Sequence, residues 1–140
     1  VILFALWWLY FLHPKLDETK ATTWAFVWAY GHYFIFASAA AVGSGIAVYV
    51  DYSTHVAHVS SFWAGQALAF PVALFVALLW IANRVKNQPS SGGYLIAAIL
   101  CLTTPMLPYT PASIAIILTA LTTYCIKSRP SEYPTNITPA

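Results

Sequence analysis

The chain has 140 residues, 60% of them apolar and only 7% charged, where an average soluble domain carries about 25% charged residues. So few charges cannot build a water-facing surface, and disorder is excluded because it requires low hydrophobicity and high charge. Six basic residues against four acidic ones leave no clustered patch for nucleic acid. What remains is a polytopic membrane protein, an all-α transmembrane bundle, since helices satisfy their own backbone groups in lipid.

Val1 opens inside an apolar run that continues to Trp8, with no Met and no charged leading segment. It reads as a chain entered in the middle of a transmembrane helix rather than as a signal peptide. The expectation is a C-terminal part of a longer protein, whose remaining N-terminal helices would be partners within the bundle. The first segment, Val1 to Leu12, stops at His13-Pro14-Lys15, and a polar link runs to Thr23. The second, Trp24 to Val50, carries no charge and would be roughly 40 Å long as a helix, so it must tilt or protrude. The third runs from Ser60 to Ala82 and contains Pro71, and a turn-rich polar loop follows from Asn83 to Gly93. Two shorter apolar runs, Tyr94 to Leu107 and Pro111 to Ile126, flank Pro108-Tyr109-Thr110. At roughly 21 and 24 Å as helices they are either two short crossings or one re-entrant hairpin. About five membrane segments are therefore predicted, with residues 1–127 as the transmembrane region and 128–140 as an irregular tail.

Charge distribution orients the segments. Lys15, Lys20, Arg84, Lys86, Lys127 and Arg129 all fall on one side if every run crosses, and the links at 51–59 and 108–110 hold no basic residue. The positive-inside rule makes the basic side cytoplasmic and places the tail there. The sequon Asn136-Ile137-Thr138 then lies on the cytoplasmic side and carries no meaning. Cys101 and Cys125 both lie in apolar runs and read as free core thiols, because no extracellular cysteine framework surrounds them.

With no Asp, Glu, Lys or Arg inside any segment, His32 stands out in the second. A polar group at that depth faces the protein interior, because facing lipid costs it hydrogen bonds. Trp28, Ala39 and Gly43 share its side at helical spacing, while Ala37, Ala41 and Gly45 form a second small series on the opposite face. Small residues on two faces predict packing on both, and so a central second helix. For His32 three roles compete: a packed histidine held by a neighbouring polar group, a group that binds ligand or moves a proton, or a metal or haem ligand. Asp51, His55 and His58 would share one face if their link were helical, a plausible divalent-metal set. Otherwise they are polar residues ending two segments in water. Gln66 can hydrogen-bond across the bundle, and Pro71 denies the carbonyl of Ala67 its usual donor. Phosphate loop, nucleophile elbow and paired carboxylates do not occur, which leans away from an enzyme, and no cofactor is specified.

Two stretches carry a resemblance. Leu6-Trp7-Trp8-Leu9-Tyr10-Phe11, and after a polar link Trp28-Ala29-Tyr30-Gly31-His32-Tyr33, resemble the low temperature requirement protein A family of bacterial membrane proteins. The run Phe36 to Gly45 and the outer Val50-Asp51 through His55 are similar to actinobacterial-type members, and the paired short helices also fit. One departure is Leu12, where members often carry an acid after the Tyr-Phe pair, so any role of that acid is absent or carried elsewhere. The resemblance implies a many-helix protein of the bacterial inner membrane and sets His32 at the family's Tyr-x-His position, but the family name describes growth in the cold and names no reaction. The favoured expectation is a permease-like protein with His32, Tyr30 and Gln66 around an interior polar site for a small-molecule substrate. The alternatives are a membrane-embedded enzyme acting on a lipid or quinone, or a scaffold needed for growth in the cold.

Overall fold

The computed structural model describes residues 1–12, 22–85 and 91–128. Five α-helices and one short 3-10 turn make up the fold: α1 (Ile2–Phe11), α2 (Thr22–Ser53), α3 (Ser61–Val85), α4 (Ser91–Thr103), the turn at Thr104–Met106, and α5 (Thr110–Lys127). There is no strand among the described residues. Three stretches, Tyr30–Ser53, Ser61–Arg84 and Thr110–Lys127, are long and apolar enough to cross a membrane. The shorter Ile2–Phe11 and Gly92–Met106 are apolar helical runs. The predicted segments reappear with small shifts at their ends, because helices extend past the apolar core of a span. Lys15, Lys20, Lys86, Arg129 and the tail after 128 lie outside the described residues, and the sequon with them.

α3 is the central helix. It packs against α2 along one side and against α4, α5 and the 3-10 turn along the others, with α1 lying mainly on α5. Leu68, Val72, Val76 and Leu79 of α3 are fully buried, together with Leu9 of α1, Val42 of α2, Cys101 of α4, and Ile114 and Leu118 of α5. Neither Cys101 nor Cys125 is in a disulfide, and both are buried.

The expectation that α2 is central is corrected. Among its described side chains the buried positions are Ile35, Ser38, Val42 and Gly45, steps of three and four that make one seam, packed on α3. Ala37, Ala41 and Gly43 all point away from the bundle. Gly45 shows why this seam is close. A Cβ there would overlap the carbonyl oxygen of Ala67 and approach Cα of Leu68 to 2.8 Å. The Ala67 carbonyl is the one that Pro71 leaves without its usual donor. It is directed at the glycine, where a Cα–H can meet it.

Close contacts at both ends fix the direction of the last hairpin. A methyl at Gly65, near the start of α3, would stand 3.0 Å from the Thr110 hydroxyl and 3.1 Å from the Pro105 ring. At the other end, a methyl at Gly93 would stand 3.0 Å from the Tyr124 ring. The turn between α4 and α5 therefore reaches to within about one helical turn of the start of α3, at Ser61. Arg84 at the end of α3 and Lys127 at the end of α5 consequently share the opposite end of the bundle. Asp51 lies with the Ser61 end, near the close of α2.

Candidate functional site around His32

His32 is half-buried on α2, at the edge of the seam that Ile35 and Ser38 continue. Counting back from Gly45, it lies about 20 Å along the helix, towards the end that carries Arg84 and Lys127. Its imidazole meets Tyr10 of α1 edge-on, with ring centroids 5.8 Å apart and planes at 81°. Phe36, one turn further along α2, stands 6.1 Å away, and Tyr10 and Phe36 are themselves 5.9 Å apart. Three rings from two helices thus close on one another. Such ring contacts are favourable beyond the area they bury, by about 0.5–1.5 kcal/mol per pair.

The trio has an outer side. Phe36 is 59% exposed, and Trp7, Trp8 and Phe11 extend the aromatic surface along α1. Trp7 stacks loosely on Phe4 and meets Phe11 at 4.8 Å. The imidazole therefore lies between the packed seam of α2 and an aromatic surface open to its surroundings.

The other expected members of the site are elsewhere. Tyr30 is 69% exposed, because two residues on a helix are separated by about 200°; the tyrosine beside His32 is Tyr10. Sequence reasoning passed over Tyr10 because nothing in the chain pairs the first segment with the second. Phe36 was within reach, since it follows His32 at the i+4 interval. Gln66 neighbours Ala67, so it sits roughly 20 Å from His32 along the bundle. Its Oε1 is buried and accepts no hydrogen bond among the described residues. Gln66 follows Gly65 and so lies at the level of the hairpin turn along α3. There Thr104 donates to the carbonyl of Cys101 at 2.7 Å, and Thr110 reaches the carbonyls of Thr104 and Leu107 at 3.4 Å.

The metal reading of Asp51, His55 and His58 rested on a helical link, and α2 ends at Ser53 instead. Val56 N–H donates to the carbonyl of Asp51 and His55 N–H to that of Tyr52, at 2.9 and 3.1 Å. His55 itself is left-handed with φ of 59°. This bond pair is the Schellman closure, with a histidine where glycine is usual. The chain turns over at that point, which takes His55 and His58 off the helical face of Asp51. Among the described residues no three His, Cys, Asp or Glu side chains form a group able to hold a metal ion.

Comparison with known proteins agrees with the resemblance carried by the Trp-Trp and Tyr-x-His stretches. No curated protein and no solved structure matches the chain. The model of the bacterial low temperature requirement A protein (LtrA) family matches residues 1–127, a range that takes in every described helix. The chain is a membrane-type helical member of the LtrA family.

Proposed function

We propose that this LtrA protein is permease-like, with His32, braced by Tyr10 and Phe36, as the polar contact for a small-molecule substrate. The observation that carries the reading is the position of the imidazole. It is an ionisable group near one end of the span Tyr30–Ser53, at a junction of two helices, with one side open past Phe36. Ionisable groups within spans are costly and mark substrate or proton routes. The break between α4 and α5 supports the same reading, since interrupted short helices line transport sites in many carriers. Gln66 and Thr110 beside that break would serve the far end of the path. The bilayer in question is the bacterial cytoplasmic membrane, with the Arg84 and Lys127 end facing the cytoplasm by the positive-inside rule.

A second reading is an enzyme acting on a lipid or quinone, with His32 as acid or base. The exposure of Phe36 favours it, because a lipid-soluble substrate would approach from that side.

The test compares wild type, His32→Ala and His32→Phe in a cold-sensitive deletion strain, with membrane abundance measured alongside growth. Normal abundance with lost growth for both variants is expected, since phenylalanine keeps the ring packing and loses the polar contact. Normal growth with His32→Phe would return the residue to packing. Solute uptake into vesicles separates the permease from the enzyme, which would instead alter the lipid or quinone profile.

A further inference from the structure

Two turns lie at the end of the bundle away from Arg84 and Lys127, and their chemistry differs. The close of α2 and its link to α3 carry Asp51, Thr54, His55, His58 and Ser60, all exposed, side chains that suit water. The turn between α4 and α5 carries no charge. It directs Met106, Leu107 and Tyr109 outward, with Met106 80% and Tyr109 73% exposed.

Length separates the two turns as well. Tyr30–Ser53 and Ser61–Arg84 are each about 35 Å long, enough for a hydrocarbon core of about 30 Å. α5 rises only about 26 Å from Thr110 to Lys127, and α4 with its 3-10 turn about 24 Å. Exposed Lys127 marks the base of the hairpin, and its ammonium belongs at the headgroups. From a base at that boundary, the tip stops about 4 Å short of the opposite one. Packing agrees: Pro105 and Thr110 face Gly65, which lies about 6 Å inward from the start of α3 at Ser61.

The polar groups around the tip have little need of water. Leu107 N–H donates to the carbonyl of Thr104 at 2.9 Å, and Pro105, Pro108 and Pro111 have no N–H to satisfy. The hydroxyls of Thr103 and Thr104 donate to the carbonyls of Leu100 and Cys101 at 2.8 and 2.7 Å. Ser113 gives its N–H and its hydroxyl to the carbonyl of Tyr109, at 3.0 and 3.2 Å. Irregular backbone is tolerated beside hydrocarbon only where its groups are bonded or covered.

We propose that the α4–α5 hairpin stops short of the water on the far side and that its tip is a lipid-contact surface. Met106 and Leu107 lie among the acyl chains of a leaflet drawn inward around them, as a span shorter than the core thins the bilayer beside it. Tyr109 stands at the headgroup level, where amphipathic rings collect. The α2–α3 link alongside stays in water. Of the two arrangements open to the short apolar pair, the hairpin is thus the re-entrant one. The inference rests on the membrane setting and on the length of the hairpin, and is independent of His32.

The experiment places single cysteines at Met106, Leu107 and His58 in the full chain, reconstituted in vesicles of phosphatidylethanolamine and phosphatidylglycerol. Wild type, whose Cys101 and Cys125 are buried, gives the background. A charged maleimide present on both sides of the membrane is expected to label His58→Cys freely. Met106→Cys and Leu107→Cys should label at least about tenfold more slowly, because bringing a charge to the acyl layer is costly. Lipids with shorter acyl chains should raise both slow rates towards that of His58→Cys. A bimane attached at either tip position should be quenched by lipids brominated in the acyl chain. An unchanged helical circular dichroism spectrum is the folding check, and the two tip positions check each other. Equal labelling of the tip variants and His58→Cys in the longer-chain vesicles would overturn the proposal and make the hairpin a full crossing. Slow labelling without bromine quenching would overturn it too, and would assign the tip to a protein partner.

Discussion

Among the described residues α2 and α3 each contain an apolar stretch long enough to span, yet 22% of the most apolar part of one is buried in the bundle against 56% of the other. Nothing in their apolar content separates a peripheral helix from a central one. Both are committed to the bilayer, where lipid covers an apolar face as readily as a neighbouring helix does. The difference arises from contact. α3 offers apolar positions all round and α4, α5 and α2 occupy them, whereas α2 has a single seam through Ile35, Ser38, Val42 and Gly45.

The sharpest way to break this comparison is at the two glycines of α2. Gly45→Leu should cost about 3 kcal/mol or more, because the Ala67 carbonyl and Leu68 Cα that it meets are backbone and cannot swing away. Gly43→Leu has nothing within 4 Å and should change stability by no more than about 0.5 kcal/mol. Thermal unfolding in detergent measures both. Equal losses would mean that α2 is packed on two faces after all.

A second pair tests α3. Leu68 is 1% exposed and Leu74 40%. Leu68→Ala is expected to lose about 2–5 kcal/mol through the cavity it leaves, and Leu74→Ala about 0.5 kcal/mol or less. A chemical denaturation series on the two variants checks the ratio, and comparable losses would remove α3 from the centre.

Gln66 is the exception to the well-satisfied interior of α3. Gln66→Met removes an acceptor that has no described partner while keeping the volume, so stability should rise by up to about 1 kcal/mol. A loss of that size would mean the oxygen is bonded in the membrane. If Gln66 also serves the proposed path, the same variant will be more stable and less active in the growth assay.

The smallest effect belongs to the end of α2. His55→Gly relieves a left-handed backbone at a position where glycine has no steric penalty, and about 0.5–1 kcal/mol of stabilisation is expected. Metal titration of that variant against wild type, followed by calorimetry, should show no difference in heat. A metal-dependent shift in wild type alone would revive the ligand set that the turn at His55 separates.

Much of the fold was legible in the chain, and the candidate site much less so. The apolar runs that became α2 and α3 were visible because a span needs about 20 apolar residues in succession, which is a local property. The short pair α4 and α5, split at Pro108-Tyr109-Thr110, was equally visible, and the buried Thr104 and Thr110 now explain how its hydroxyls are satisfied. His32 was visible as an ionisable side chain in an apolar run, but the ring that packs on it was not. Tyr30 is near it in sequence and points elsewhere, while Tyr10 is far in sequence and touches it. The Asp51, His55 and His58 pattern failed for a different reason: helical periodicity was extended past the residue where the helix ends.

The sequence by itself determined a membrane-embedded, helical chain with its breaks at the polar links, because 60% apolar content and 7% charge admit no water-soluble alternative. Family membership was also legible, in the Trp-Trp and Tyr-x-His stretches. Only the tertiary structure decided that α3 is central, that Gly45 rather than Gly43 is the close-approach glycine, and that Tyr10 and Phe36 enclose His32. Transfer into lipid depends on each residue's own polarity and adds up along the chain. Packing depends on the shape of whatever arrives opposite, and a single helix cannot encode that alone.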